Sequence, residues 1–386
     1  MRRWGLAAFL CAAGIVCVGV ILLPGGSQPH KAIARDAASA VAAPAPTPTV
    51  DESAYDAKML ALANIQPQTG CAEVIAVPSP KEALANSSGT AAAATAVVAE
   101  ESKKKRTALR PCPRPLWPVH TPYPDAGALL PFKRVVAYYG NFYSPRMGIL
   151  GEYPPDKVVA LLKAQAADYA KADPTTPVIL AVDYIVVAAQ SAPGRDGKYL
   201  MRMPDAQIEK AINLAGQVGG LLFLDVQPGW SNVETEVPRL APYLKLPNVN
   251  LALDPEFALT GGRRPGAWRG TMNASDINFA ARFLAKIVQE NHLPPKILVV
   301  HRFTEGMVTD YRAIKPLPEV EIVMDMDGFG APSLKHAAYR DFIAKQPVQF
   351  TGFKLFYKND VKWGTRVMTP TEVLGLSPQP IYILYQ

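Results

Sequence analysis

From Pro131 onwards, short apolar runs alternate with longer segments in which apolar residues recur every three or four positions. The short runs predict strands that are buried on both faces, and the longer segments predict amphipathic helices. The predicted strands are Val135–Tyr139, Val178–Val182, Leu221–Val226, Val249–Leu253, Ile297–His301, Val320–Met324, Phe350–Phe356 and Ile381–Tyr385. The predicted helices lie near residues 155–171, 205–218, 233–245, 273–291 and 332–345.

This alternation of strand and helix is typical of a parallel sheet covered by helices. Eight strands in about 250 residues favour a (β/α)8 barrel, the TIM-like α/β fold. A doubly wound sheet is the alternative, but no glycine-rich dinucleotide-binding fingerprint follows the first strand. We therefore predict one barrel domain over residues 131–386, and we expect it to supply its own core.

The first 130 residues differ in composition from the rest of the chain. Two arginines precede an uncharged run from Trp4 to Leu23, which is long enough to span a bilayer. Residues 1–23 are therefore predicted to be a signal-anchor or a cleaved signal peptide, with the barrel either tethered to the cell membrane or secreted. Residues 24–130 are rich in Ala, Pro and Ser, which predicts a low-complexity spacer with one short helix within residues 51–66.

Charge and cysteine content narrow the possible functions. The net charge is +7, but the predicted barrel has basic and acidic residues in similar numbers, which argues against a nucleic-acid groove. All four cysteines precede the barrel, so cysteine nucleophiles and cysteine-bound zinc are excluded from it. Pairing of Cys71 with Cys112 stays open, because an oxidising compartment would permit it.

Acidic residues follow several predicted strands at their carboxyl ends, where a barrel of this type carries its active site. Because alternate residues of a strand face the same side, several of these strand ends should aim two polar groups in one direction. The pairs are Asp225 with Gln227, Asp254 with Glu256, His301 with Glu305, and Asp325 with Asp327. The sequence therefore predicts that at least five carboxylates converge on one mouth, where like charges raise one another's pKa.

Convergent carboxylates of unequal pKa are what glycosidic cleavage needs. We expect Glu256 to be the general acid and Asp327 the base, with Asp254 and Asp225 orienting the acid or binding an oxocarbenium-like centre. Flat rings and further polar groups at the same end suit sugar binding. The candidate substrate-binding residues are Asp183, His301, Glu305, Lys354, Tyr139, Trp230, Trp268 and Tyr357.

Other chemistries have weaker support. Neither a Gly-x-Ser-x-Gly elbow nor a phosphate-binding Walker loop occurs. The barrel histidines form no pair at metal-ligand spacing, so neither a zinc site nor a cofactor is predicted. An oxygen-rich Mg²⁺ or Ca²⁺ site formed by Asp225, Asp254, Glu256 and Asp327 stays open, and with it a metal-dependent phosphodiesterase.

Five sequence blocks resemble exported bacterial proteins of unassigned activity: Val135–Asn141, Leu224–Gly229, Leu253–Glu256, Asp325–Gly330 and Gly352–Tyr357. The predicted barrel also resembles, more loosely, glycoside hydrolases, in which an Asp-x-Glu pair after strand four often supplies the acid. Lys354 departs from that pattern, because the largest glycosidase clan has its nucleophilic glutamate on strand seven. The resemblance implies a hydrolase acting on a polysaccharide or cell-envelope glycan; the alternative is a non-catalytic glycan-binding or envelope-binding barrel.

Overall fold

The computed structural model describes residues 50–65 and 114–386. Eight parallel strands form a closed barrel, in which each strand pairs with the next and the first pairs with both the second and the last. The strands are β1 (Arg134–Gly140), β2 (Val178–Ala189), β3 (Leu221–Val226), β4 (Val249–Leu253), β5 (Lys296–Arg302), β6 (Val320–Met326), β7 (Phe350–Leu355) and β8 (Tyr382–Tyr385). The predicted TIM-like α/β barrel and its eight strands are confirmed.

Helices cover the outside of the barrel. They are α1 (Glu52–Ala63), α2 (Ile149–Glu152), α3 (Pro155–Ala172), α4 (Asp205–Gln217), α5 (Val233–Glu236), α6 (Ala241–Leu244), α7 (Ala274–Asn291), α8 (Pro332–Tyr339) and α9 (Pro370–Leu374). Between β5 and β6, the short turns Glu305–Met307 and Tyr311–Ala313 take the place of a helix. Three short strands lie outside the barrel ring: Leu200–Arg202, Met272–Asn273 and Val308–Thr309.

Helix α1 belongs to the barrel unit although it lies far upstream in sequence. Its Tyr55 and Met59 are 3% and 5% exposed and are part of the core. The backbone N–H of Gln379 donates to the carbonyl of Leu62 at 2.7 Å, which ties the helix to the segment before β8. The predicted helix within residues 51–66 is thus confirmed, but residues 131–386 do not supply the whole core by themselves.

Residues 50–64 and 116–386 form one compact unit. Within the described residues, none of the helices combines the length and apolar character needed to cross a membrane. The predicted membrane segment, most of the predicted spacer and all four cysteines lie outside the described residues. The division of the first 130 residues into a membrane segment and a spacer therefore stays a prediction.

Strand register aligns polar residues inside the barrel near its carboxyl end. His301 of β5 lies opposite Asp325 of β6, which lies opposite Gly352 of β7, which in turn lies opposite Tyr382 of β8. A β-carbon at Gly352 would lie 2.6 Å from Asp325 Oδ1 and 3.1 Å from the Tyr382 ring. Glycine at this position therefore makes room for a carboxylate in the barrel interior.

Candidate active site

A buried histidine on β5 contacts one aspartate on β3 and another on β6. His301 Nε2 lies 3.0 Å from Asp225 Oδ2, and its Nδ1 lies 3.0 Å from Asp325 Oδ2. All three residues are 0% exposed. Burial lowers the pKa of His301, but the hydrogen bonds to the two carboxylates outweigh this effect and raise the pKa well above its ordinary value. In the protein alone, the imidazole is therefore a buried cation between two acids.

Asp183 of β2 is as fully buried as His301 and its two aspartate partners. Tyr382 donates to Asp183 Oδ2 at 2.6 Å. Burial and the nearby charge of Asp225 raise the pKa of Asp183 to about 7, and His301 and Tyr382 only partly oppose this rise. Asp183, Asp225 and Asp325 each keep one buried oxygen, Oδ1, that accepts no hydrogen bond from the protein. Such orphan oxygens are uncommon in folded proteins and call for an explanation.

Gln227 lies between the buried group of Asp183, Asp225, His301 and Asp325 and the residues nearer the mouth of the barrel. Its Nε2 donates to the Tyr139 hydroxyl at 3.2 Å and to Asp254 Oδ2 at 3.3 Å, while its Oε1 accepts from the backbone of Ala189 at 3.1 Å. The other oxygen of Asp254 accepts from the backbone N–H of Glu256 at 3.1 Å. Gln227 was predicted to share a face with Asp225 but was not among the candidate site residues; its position two residues after Asp225 was the available signal.

Lys354 of β7 is 2% exposed and has the carboxylate partner that a lysine inside a barrel requires. Its Nζ lies 3.1 Å from Asp327 Oδ1 and 3.6 Å from the centroid of the Tyr139 ring. Burial lowers the pKa of Lys354, but the charges of Asp327, Asp254 and other acids outweigh it, so that the pKa is raised. Lys354 is therefore a second buried cation, above His301 and facing the mouth.

The four carboxylates predicted to be catalytic lie at one end of the barrel but at different depths. Asp225 is 0% exposed, Asp254 is 2% exposed and Asp327 is 8% exposed, whereas Glu256 is half-buried in the turn after β4. Burial and the charge of Asp327 raise the pKa of Glu256 to about 7, against the opposing effects of Lys354 and Arg269. Glu256 and Asp327 are therefore the two best placed to meet a ligand.

Two of the predicted substrate-binding residues lie away from this cluster. Glu305 is exposed in a turn, and its backbone carbonyl accepts from Arg302 at 2.7 Å. The Tyr357 hydroxyl donates to Gln165 of α3 at 2.8 Å, so it faces the helix layer. Glu305 was predicted by extending strand alternation from His301 beyond the strand, whereas Tyr357 was predicted as an aromatic residue just after strand seven. Strands β5 and β7 end at Arg302 and Leu355, and the turns that follow reset the side-chain direction.

Aromatic and arginine residues form a rim beside the mouth, which we define as Tyr199, Trp230, Arg263, Arg264 and Trp268. Trp230 donates to the carbonyl of Arg263 at 2.6 Å, and its ring lies 4.1 Å from that of Tyr199. The Arg263 guanidinium lies 5.1 Å from the Trp268 ring, which is 58% exposed. The rim offers an exposed ring and two cationic groups to a ligand.

Among known proteins, the chain has only distant structural similarities. No family model matches the chain, and no curated protein matches it. The solved structures to which it is similar include a cellulase (13% identity, 58% of this chain and 65% of the cellulase chain, TM-score 0.34). They also include a Bacillus subtilis mannanase (12% identity, 66% and 79% coverage, TM-score 0.33) and a chitinase from Pseudoalteromonas aurantia (10% identity, 66% and 94% coverage, TM-score 0.30).

The chain thus spans about two-thirds of the cellulase that it matches. Similarities this distant carry no argument about activity. The closed order of eight parallel strands, with the charged cluster at their carboxyl ends, by itself defines a TIM-like α/β barrel.

Proposed function

We propose that the protein is a glycoside-hydrolase-like enzyme that cleaves a polysaccharide or cell-envelope glycan outside the cytoplasm. One observation carries the proposal: two carboxyl groups at the open end of the barrel have unequal surroundings. Glu256 is half-buried with a pKa of about 7, so much of it keeps its proton near neutral pH. Asp327 instead lies 3.1 Å from the ammonium group of Lys354. A protonated acid near an ion-paired carboxylate supports glycosidic chemistry.

In this mechanism Glu256 donates its proton to the glycosidic oxygen of the leaving group. Asp327 accepts a proton from the attacking water, while Lys354 holds its carboxylate in place. Asp254 acts as a positioning residue, because its Oδ1 accepts from the backbone N–H of Glu256 and so fixes the turn that presents the acid. Asp225 is fully buried against His301, and we assign it a positioning role below the reacting groups.

The rim is the proposed contact surface for sugar rings. Trp268 is exposed and flat, and rings of this kind pack against the apolar faces of sugars. Arg263 and Arg264 add donors for hydroxyl or carboxylate groups of the glycan. A carbohydrate is therefore the proposed ligand, and nucleic acid is not.

The test is release of reducing ends from plant and cell-envelope polysaccharides. We expect Glu256→Gln and Asp327→Asn each to lower turnover about 100-fold or more, as is usual when general acid–base catalysis is removed. Glu290→Gln, on the exposed face of α7, is the matched control and should behave like wild type. Equal product release by wild type and Glu256→Gln would remove Glu256 from the acid role.

A non-catalytic glycan-binding barrel is the second candidate function. It is favoured by the depth of the acids, since Asp183 and Asp225 are 0% exposed and cannot touch a sugar ring without rearrangement. In that case wild type binds glycan without turnover. Binding then survives Glu256→Gln and is weakened by Trp268→Ala.

Export is the remaining part of the proposal. It is supported by the apolar run of residues 4–23, which follows two arginines. Recovery of the mature protein without residues 1–23 would establish a cleaved signal, whereas the intact chain in the membrane fraction would establish an anchor.

A further inference from the structure

Three buried residues from three different strands bring potential metal ligands together. Asp183 of β2, Asp225 of β3 and His301 of β5 each offer one ligand atom, and these atoms all lie within 4.8 Å of one another. The His301 Nε2 to Asp225 Oδ2 distance is 3.0 Å. Ligand atoms bound at about 2.1 Å from a zinc ion are separated by about 3 to 4 Å. The His301–Asp225 pair is already within that range, and none of the three pairs exceeds it by more than about 1 Å.

The orphan oxygens independently indicate that a positive ligand belongs there. Asp183 Oδ1 and Asp225 Oδ1 are buried and accept no hydrogen bond from the protein. Among the described residues, no lysine or arginine forms a salt bridge with Asp183 or Asp225, because the ammonium of Lys354 is directed to Asp327. Asp225 has His301 and Asp183 has Tyr382 as a partner at Oδ2, but their Oδ1 atoms have none, and buried carboxylate oxygens are costly unless they accept a hydrogen bond or coordinate a metal.

The surroundings of the three ligands are those of a preorganised metal site. His301 Nδ1 lies 3.0 Å from Asp325 Oδ2, which fixes the ring orientation and leaves Nε2 as the ligand atom. The Tyr382 hydroxyl donates to Asp183 Oδ2 at 2.6 Å and holds the second ligand. A ligating histidine whose other nitrogen is bonded to a carboxylate is a recurring arrangement around protein-bound metals.

We propose that Asp183, Asp225 and His301 bind one divalent transition-metal ion, with Zn²⁺ and Mn²⁺ as the candidates. One imidazole nitrogen and two carboxylates form a mixed donor set that suits these ions, whereas Ca²⁺ and Mg²⁺ favour oxygen ligands alone. The ion neutralises carboxylates below the mouth and takes the place of the proton between His301 and Asp225. This inference does not depend on the hydrolase activity.

Sequence spacing did not reveal the site, because only one histidine takes part. The ligands lie on three strands, and barrel closure alone brings them together. The oxygen-only site left open from the sequence shares Asp225 with this site. Its other three members, Asp254, Glu256 and Asp327, lie nearer the mouth and include the partner of Lys354.

The first test is metal content. The full chain is produced in medium containing Zn²⁺ or Mn²⁺, desalted, and measured by inductively coupled plasma mass spectrometry. We expect stoichiometric metal in wild type and in two control variants, His336→Gln and Glu290→Gln, which alter exposed residues on α8 and α7. Metal should be lost in Asp183→Asn, Asp225→Asn and His301→Gln. Wild type without stoichiometric metal, or an Asp183→Asn variant that retains it, would overturn the proposal.

A second measurement does not depend on the variants folding. X-ray absorption at the zinc edge of the loaded wild-type protein should reveal one imidazole nitrogen among oxygen ligands. A spectrum without an imidazole contribution would contradict the site even if every ligand variant aggregates. Thermal unfolding should also shift upward with Zn²⁺ or Mn²⁺ and not with Ca²⁺ at equal concentration; an equal shift with Ca²⁺ would contradict the assigned donor set.

Discussion

At the two ends of the barrel, the buried lysines Lys296 and Lys354 have different kinds of partner. At the amino end of the strands, Lys296 donates to the carbonyls of Leu246 at 2.6 Å and Val249 at 2.8 Å. Glu321 at the same end accepts from the backbone N–H of Leu130 at 2.7 Å. At the carboxyl end, His301 and Lys354 instead have carboxylates as their partners.

The consequences for ionisation are opposite. Burial lowers the pKa of Lys296 to about 8 and raises that of Glu321 to about 8, so both groups shift towards their neutral forms. At the carboxyl end, nearby acids outweigh burial and keep His301 and Lys354 cationic. Fixed backbone groups thus stabilise the fold at one end, while the other end holds charges that a substrate or metal can rearrange. This division matches the usual location of active sites in such barrels.

The largest expected difference is in glycan turnover, between variants of the two buried lysines, Lys354 and Lys296. Lys354→Met should lower glycan turnover about 100-fold or more, because it removes the charge that holds Asp327. Lys296→Met should leave turnover per folded molecule unchanged but lower the free energy of unfolding by about 3 kcal/mol, because buried carbonyls lose their donor. Turnover and urea unfolding of both variants provide the measurement. Equal losses of turnover would show that the two ends are not functionally distinct.

The amino end also depends on α1. A chain that begins at Leu116 should be less stable than one that begins at Val50 by roughly 3 to 5 kcal/mol, because burial of Tyr55 and Met59 is lost. Thermal unfolding of the two proteins measures this difference. Leu60→Ala, at a position that is 61% exposed, is the control and should change little. Equal stability of the two chains would restore the prediction that residues 131–386 fold without upstream segments.

A smaller loss of stability is expected when Gly352 is replaced by alanine. In Gly352→Ala the new β-carbon must displace the Asp325 carboxylate, and overpacking of this type costs about 1 to 3 kcal/mol. Gly216→Ala in α4 is the matched control, since its β-carbon meets no atom within 4 Å. Urea unfolding should separate the two variants. An unchanged free energy of unfolding for Gly352→Ala would mean that the surroundings of the Asp325 carboxylate are loosely packed.

The last expected effect concerns the pH dependence of stability at the amino end. The pKa of Glu321 rises from 4.5 to about 8 on folding, so its contribution to stability is complete below 4.5 and is lost as the pH rises through 8. Glu321→Gln keeps an acceptor for Leu130 and cannot ionise. We therefore expect the variant to match wild type below pH 4.5, to exceed it increasingly as the pH rises from about 4.5 to about 8, and to keep a constant advantage above that, as measured by urea unfolding. A difference that stays constant as the pH rises from 4.5 to about 8 would contradict a buried, protonated Glu321.

The sequence by itself determined the strands and the strand-end positions of the acids. Continuous apolar runs identify buried parallel strands, and alternation correctly paired Asp225 with Gln227 and Asp325 with Asp327, because these pairs lie at or next to strand ends. Extended beyond the strand, the same rule did not place Glu305 beside the buried acids, because β5 ends at Arg302 and Glu305 lies in the turn that follows.

Tertiary structure decided the depth of each group and its partners. His301 contacts Asp325 because register places the two opposite each other on neighbouring strands, and it contacts Asp225 because the barrel interior brings β3 and β5 together across β4. Asp183 is fully buried because β2 continues to Ala189, beyond the predicted end at Val182. Helix α1 joins the core although its contacts lie far away in sequence, from Tyr123, which donates to Asp56, to Leu376, which accepts from Asn64. Local periodicity carries no information on such contacts, because they depend on register and closure rather than on neighbouring residues.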